Sequence, residues 1–203
     1  MTYLKRICGL ALVGIAVVMA AGATSASATV LDCNGSPCDP HGTIHIEIEY
    51  SLEDPEPIFV HMPIGAIECT GETYHYTIAN PGSSVDTPSL PLLALNTSNC
   101  NATVTTLAKG TWQIHTSGSA NNGTITSTGT ETTIEFVGFH CIFKTSNTDL
   151  GTLTGSATTK SKATVDLSGT LPRTGGRSGA FCGSTAAITG SLSVTSPTSL
   201  NVT

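Results

Sequence analysis

The stretch "GTIHIEIEYS", residues 42–51, decides the fold. Ile44, Ile46, Ile48 and Tyr50 fall on one side of an extended chain, and His45, Glu47 and Glu49 on the other. That is the period of two required by a strand with one buried and one wet face. The arrangement recurs along the chain. "TYHYTI" aligns Tyr74, Tyr76 and Ile78; "TWQIHT" turns Trp112 and Ile114 inward against Gln113 and His115. "KATVDLSG" aligns Ala163, Val165 and Leu167, and "AITGSLSV" aligns Ile188, Leu192 and Val194 around Gly190. "TTIEFVGFHCIF" is apolar on both faces, as in a central strand or a strand bulged at Gly138.

No segment keeps a helical repeat for three turns, and Thr, Ser and Gly abound with β-branched residues at the apolar positions. With turn signals such as Asn80-Pro81-Gly82 and Asn122-Gly123, the pattern predicts about ten to thirteen short strands in an antiparallel β-sandwich or barrel. Residues 29–43 read as irregular and 80–100 as the longest section without a strand. Within the latter, Pro-broken "SLPLLAL" reads as a lid over one end, or as an exposed binding loop.

The N-terminus reads as a targeting segment. Lys5 and Arg6, the apolar run Ile7–Ala23 and the small-x-small pattern Ala26-Ser27-Ala28 describe a secretory signal peptide over residues 1–28. A single all-β domain over 29–203 follows, with no later stretch apolar enough to span a bilayer. Residues 29–203 hold six Lys and Arg against fourteen Asp and Glu. That acidity excludes a nucleic-acid partner, which needs clustered cations. The signs are segregated: every Lys and Arg of this region lies after residue 100, and ten of the acids before it.

Six cysteines follow the leader, and an even set in an exported chain reads as three disulfides. Of fifteen pairings, neighbours in order are expected, Cys33–Cys38, Cys69–Cys100 and Cys141–Cys182, because each closes one local section of a meander. A metal at Cys33-x4-Cys38 would need a second ligand pair at matching spacing, which is missing from the sequence. Neither a metal nor any other cofactor is expected.

Three constellations compete for function. Leu171, Pro172, Arg173, Thr174 and Gly175 match the L-P-x-T-G signal used by sortases. The apolar segment and basic tail that complete such a signal do not follow, so residues 171–179 read as a loop between two strands. His45, Glu47 and Glu49 project about 6–7 Å apart along one strand face. Together with His41, the loop of Glu53, Asp54 and Glu56, and His61, His75 or His115, they could share a cation. A half-buried strand carries such a polar row in any case. Paired carboxylates at Glu47 and Glu49 could serve a hydrolase, but aromatic residues for a glycan cleft are scarce and no nucleophile elbow or zinc-protease motif is present. Asn34, Asn96, Asn101, Asn122 and Asn201 each open an Asn-x-Ser/Thr triplet.

The segments "CIFKTSNTDLGTLTGSA" and "FCGSTAAITGSLSVTSPTSLNVT" resemble a group of uncharacterised secreted β proteins of soil actinobacteria. The plan of an exported Thr/Gly-rich chain with paired cysteines is similar to the alkane-oxidation activator proteins and their biofilm surface relatives. That resemblance implies an extracellular all-β protein and transfers no residue role. The sequence thus favours a non-catalytic secreted or cell-surface structural or adhesive protein. Self-association through edge strands at Ile44–Tyr50 and Leu200–Thr203 is expected, together with cell-envelope or glycan contact. A binding module for a glycan or a small apolar ligand is the alternative, and a secreted hydrolase a third reading.

Overall fold

The structure, a computed structural model, describes residues 31–34, 36–38, 43–50, 57–79, 89–116, 121–158, 161–177 and 179–202. The signal segment, His41 and the loop of Glu53, Asp54 and Glu56 lie outside the described residues. The fold is all-β and antiparallel. The strands are β1 (Leu31–Cys33), β2 (Ser36–Pro37), β3 (Thr43–Tyr50), β4 (Ile58–Met62), β5 (Gly65–Ala79), β6 (Ser89–Cys100), β7 (Thr103–Ala108) and β8 (Thr111–Thr116). They continue with β9 (Asn122–Thr128), β10 (Glu131–Phe136), β11 (Phe139–Lys144), β12 (Thr148–Thr154), β13 (Thr164–Leu167), β14 (Thr170–Gly176), β15 (Thr185–Ser196) and β16 (Leu200–Val202). One helical turn, α1 (Gly179–Cys182), interrupts them.

Eight of these strands close a ring. Following the pairing from β13 through β12, β9, β8, β6, β5 and β3 leads to β15, and β15 pairs back to β13 through Val165↔Leu192 and its neighbours. An eight-stranded barrel is just wide enough for side chains to fill. Here Ile46, Ile48, Ile125, Val165, Leu192 and Val194 are all buried inside it, each at an alternate position of its strand. Trp112 sits between Tyr74 and Tyr76, with ring centroids 5.2 and 5.0 Å away. A small sheet of β16, β1 and β2 covers one end with Leu31, Leu200 and Val202, all buried.

The three longest strands, β5, β6 and β15, run out of the barrel into a second lobe. From Gly190 onward β15 pairs with β13 and β3, before it with β14 and β4, and on that side the sheet continues through β11 and β10 to β7, where it ends. This lobe has its own core of Val60, Met62, Ile67, Ile134, Phe143 and Ala186, with Cys69, Cys141 and Cys182. Leu171 and Ile188 pack against both cores.

Several expectations need correction. Sixteen strands stand among the described residues rather than ten to thirteen, because β1, β2 and β16 are too short to display a period of two. Residues 89–100 are strand, and so are 170–176; neither is the lid or loop their prolines suggested. Pro91 is the last residue of β6 paired with β8 before the strand turns to β5 at Leu92. Pro172 is likewise the last of β14 paired with β15 before it turns to β11. A residue without an N–H is tolerated where a strand exchanges partners, since the ladder is interrupted there already.

Of the two expected edges, Ile44–Tyr50 is not one, whereas Leu200–Val202 ends the small sheet. β3 has β5 on one side and, from Glu47 to Tyr50, β15 on the other, while β16 pairs with β1 and is bridged to Asn121 at Val202. The free end of the large sheet is β7. Residues 29–43 include the hairpin of β1 and β2, and Asn122-Gly123 begins β9 instead of turning. "TTIEFVGFHCIF" is two inner strands rather than one, the hairpin of β10 and β11, and Gly138 is in its turn with Val137 instead of in a bulge.

Candidate functional site

Disulfides join Cys33 to Cys38, Cys69 to Cys100 and Cys141 to Cys182. They fit an oxidising compartment. Among the described residues no helix is long and apolar enough to cross a membrane. Cys69 and Cys100 face each other across β5 and β6, and Cys141–Cys182 ties β11 to α1, so two of the three bonds lie in the smaller core.

The polar row on β3 does not assemble. Glu47 and Glu49 alternate with buried Ile46 and Ile48 and so stand on the outer face, and β3 likewise carries the backbone of His45. Glu47 meets His75 directly across the sheet, Oε1 to Nδ1 3.6 Å, with both side chains about two-fifths exposed. At that exposure the pair contributes little, a few tenths of a kcal/mol at most. His61 instead stacks on Phe59 and lies 3.4 Å from the Thr189 hydroxyl, and His115 lies 3.2 Å from that of Thr126. Among the described residues no three His, Cys, Asp or Glu come together. Glu47 and Glu49 share one strand face, so they do not oppose each other across a cleft as a carboxylate pair must.

The L-P-x-T-G stretch is built into the sheet. Leu171 pairs with Ala186, Arg173 with Phe143 and Gly175 with Ile142, and the Arg173 N–H donates to the Ser184 carbonyl. A β carbon on Gly179 would stand 3.2 Å from the Arg173 guanidinium, which lies over that glycine. Cleavage between Thr174 and Gly175 would sever a strand paired through both cores. Four of the Asn-x-Ser/Thr asparagines also have structural work: Asn101 bridges Ala66 and Glu68, Asn34 accepts from the Ser199 N–H, Asn122 accepts from the Gly155 N–H, and Asn201 is buried.

Between the two cores lies a cavity of about 80 Å³, bordered by Tyr74, Trp112, Phe143, Leu171 and Ile188. One wall is a set of hydroxyls that no sequence motif announces. Ser127 Oγ lies 3.0 Å from both Thr130 Oγ1 and Thr145 Oγ1, and Thr145 Oγ1 accepts from the Thr130 N–H. These groups satisfy one another. The volume is about half that of a 150 Å³ void that admits benzene and far below the roughly 300 Å³ where ligand pockets begin. The buried Tyr76 hydroxyl, without a hydrogen-bond partner among the described residues, is pushed well above its ordinary pKa by burial and, secondarily, by Tyr74.

An unusual surface feature is the tip of the β10–β11 hairpin. Val137 and Gly138 hold φ of 51° and 80°, the two positive values of a type I′ turn, where Asn-Gly is the favoured pair. The four other described non-glycine residues with positive φ, Asn34, Asn99, Asn121 and Asn147, are all asparagine. Val137 is the exception, and it is 75% exposed. A β-branched residue in this region costs about 1–2 kcal/mol, with almost no burial in return. Beside it Phe139 stacks on Phe181, centroids 4.4 Å apart, with Phe181 half exposed. Val137→Asn should therefore raise stability by about 1 kcal/mol, a gain of roughly 2–4 °C in melting temperature. Calorimetry with the disulfides intact would check this; a lowered melting temperature would contradict the strain.

The chain matches no known family model, no curated protein and no solved structure.

Proposed function

We propose that this is a secreted, non-catalytic structural or adhesive protein of the cell envelope or extracellular matrix. Its leader would be the signal peptide over residues 1–28, and its working surface the outside of the sheet. The observation that carries this reading is the packing of the barrel: among the described residues its inward side chains are buried against one another, and the cavity beside them is too small for a glycan or a lipid.

Contact with neighbouring copies falls to β7, the terminal strand of the large sheet. Its outer face carries Thr103, Thr105 and Leu107, all exposed, and no Lys or Pro that would blunt the edge. A strand from another molecule can extend the sheet there.

Sedimentation of the secreted protein at rising concentration should reveal growing assemblies, and Thr105→Lys, which puts a charge on the edge, should hold the chain monomeric at the same concentrations. A wild type that stays monomeric throughout would contradict assembly. If that monomer also melted higher with a glycan or a small apolar compound, the binding-module reading would replace this one.

A further inference from the structure

We infer that the β10–β11 tip, with Phe181 beside it, is a lipid-contacting point: Val137, Phe139 and Phe181 enter the interfacial layer of a bilayer. This rests on the contact role proposed above and supplies it with a partner. Val137 is held exposed in a conformation that, among the described residues, is otherwise taken only by asparagine and glycine, so its side chain does nothing for the fold that asparagine would not do better. Phe181 is 51% exposed although its neighbour Cys182 is fully buried and bonded to Cys141. Two independent local choices thus leave apolar side chains outward at one place.

Their size selects the partner. The three side chains together expose roughly 250 Å², whereas a stable protein interface buries about 800 Å² on each side. A second copy or a folded protein would need far more than this tip offers. A bilayer surface takes a few apolar side chains inserted about 5–10 Å. The backbone suits that environment, because Phe136 pairs with Phe139 and only two residues lie beyond the ladder with groups that lipid would leave unpaired. Charge around the tip is balanced: Glu135 stands on β10, and exposed Arg177 follows Gly176, which faces Cys141. Binding should therefore be indifferent to lipid charge.

Flotation with phosphatidylcholine vesicles, and with vesicles containing one third phosphatidylglycerol, tests the assignment. The wild type should float equally with both. Val137→Asn combined with Phe181→Ser should reduce the bound fraction at least about tenfold, and Val137→Asn alone should reduce it while melting no lower than the wild type. A wild type that does not float, a double variant that floats unchanged, or binding confined to the anionic vesicles would each overturn the inference. So would variants that alter sedimentation but not flotation, which would make a second copy the occupant. The Thr105→Lys variant separates the two proposals: it should still float. If Thr105→Lys abolishes assembly while nothing floats, the lipid contact fails and the assembly reading stands.

Discussion

Cys141→Ala combined with Cys182→Ala should lower stability by about 4 kcal/mol and the melting temperature by roughly 8–16 °C. The bond closes a 41-residue section, for which loop-closure entropy alone gives that figure. Its setting makes the loss local at first. The second lobe has a core of nine buried residues, three of them cysteines, and its sheet stops at β7 without closing. The single turn of α1 is far too short to persist by itself, so removing the bond releases Phe181 and uncovers Ile134 and Phe143. The barrel does not depend on that bond. Fluorescence of Trp112, enclosed in the barrel between two tyrosines, should change at a higher temperature than hydrogen exchange in β10 and β11. A double variant melting within 2 °C of the wild type would contradict the role given to this disulfide.

Gly151→Val should cost about 4 kcal/mol in denaturant unfolding, for two separate reasons. The residue has φ of 144°, which side-chain-bearing residues rarely adopt, at a cost of about 1–3 kcal/mol. A β carbon there would also run into the carbonyl oxygen of Asp166 on β13. Overpacking against backbone costs a further 1–3 kcal/mol or so. The clash falls on the pair β12–β13, next to the pairing with β15 that closes the ring. Gly138→Ala is the natural control: a β carbon there meets nothing within 4 Å, so only the conformational term of about 1 kcal/mol remains. Equal losses at the two glycines would mean that β12 and β13 are not packed as described.

The alternating strands were legible because burial on one face writes itself directly into residue order. Ile46, Ile48, Tyr74, Tyr76, Trp112 and Val165 are inward, where a period of two puts them. The prolines misled for a specific reason. Proline reads as a break when a strand is imagined with fixed neighbours on both sides, but β6 and β14 change partners at Pro91 and Pro172, and nothing local in the sequence records a change of partner. The inner position of β3 was equally hidden, since whether a strand is inner or terminal depends on residues more than a hundred positions away, as with Glu49 and Ser193. The hairpin at Val137-Gly138 escaped because valine is among the poorest residues for its conformation. That mismatch between residue and turn became visible only once the backbone angles were known, and it now marks the surface assigned to lipid. The outward row of His45, Glu47 and Glu49 was legible as a face but not as a site: the sheet brings His75 to Glu47 and leaves His61 and His115 with threonine partners elsewhere.

The barrel is closed by the pairing of β13 with β15, and the second lobe is left open at β7. Residue-resolved hydrogen exchange on the disulfide-intact protein tests both at once. Amides in 164–167 of β13 should exchange as slowly as those in 123–127 of β9, and amides along β7 should be exchanged orders of magnitude sooner. Loop-like exchange throughout 164–167, or a β7 as protected as β9, would contradict the account.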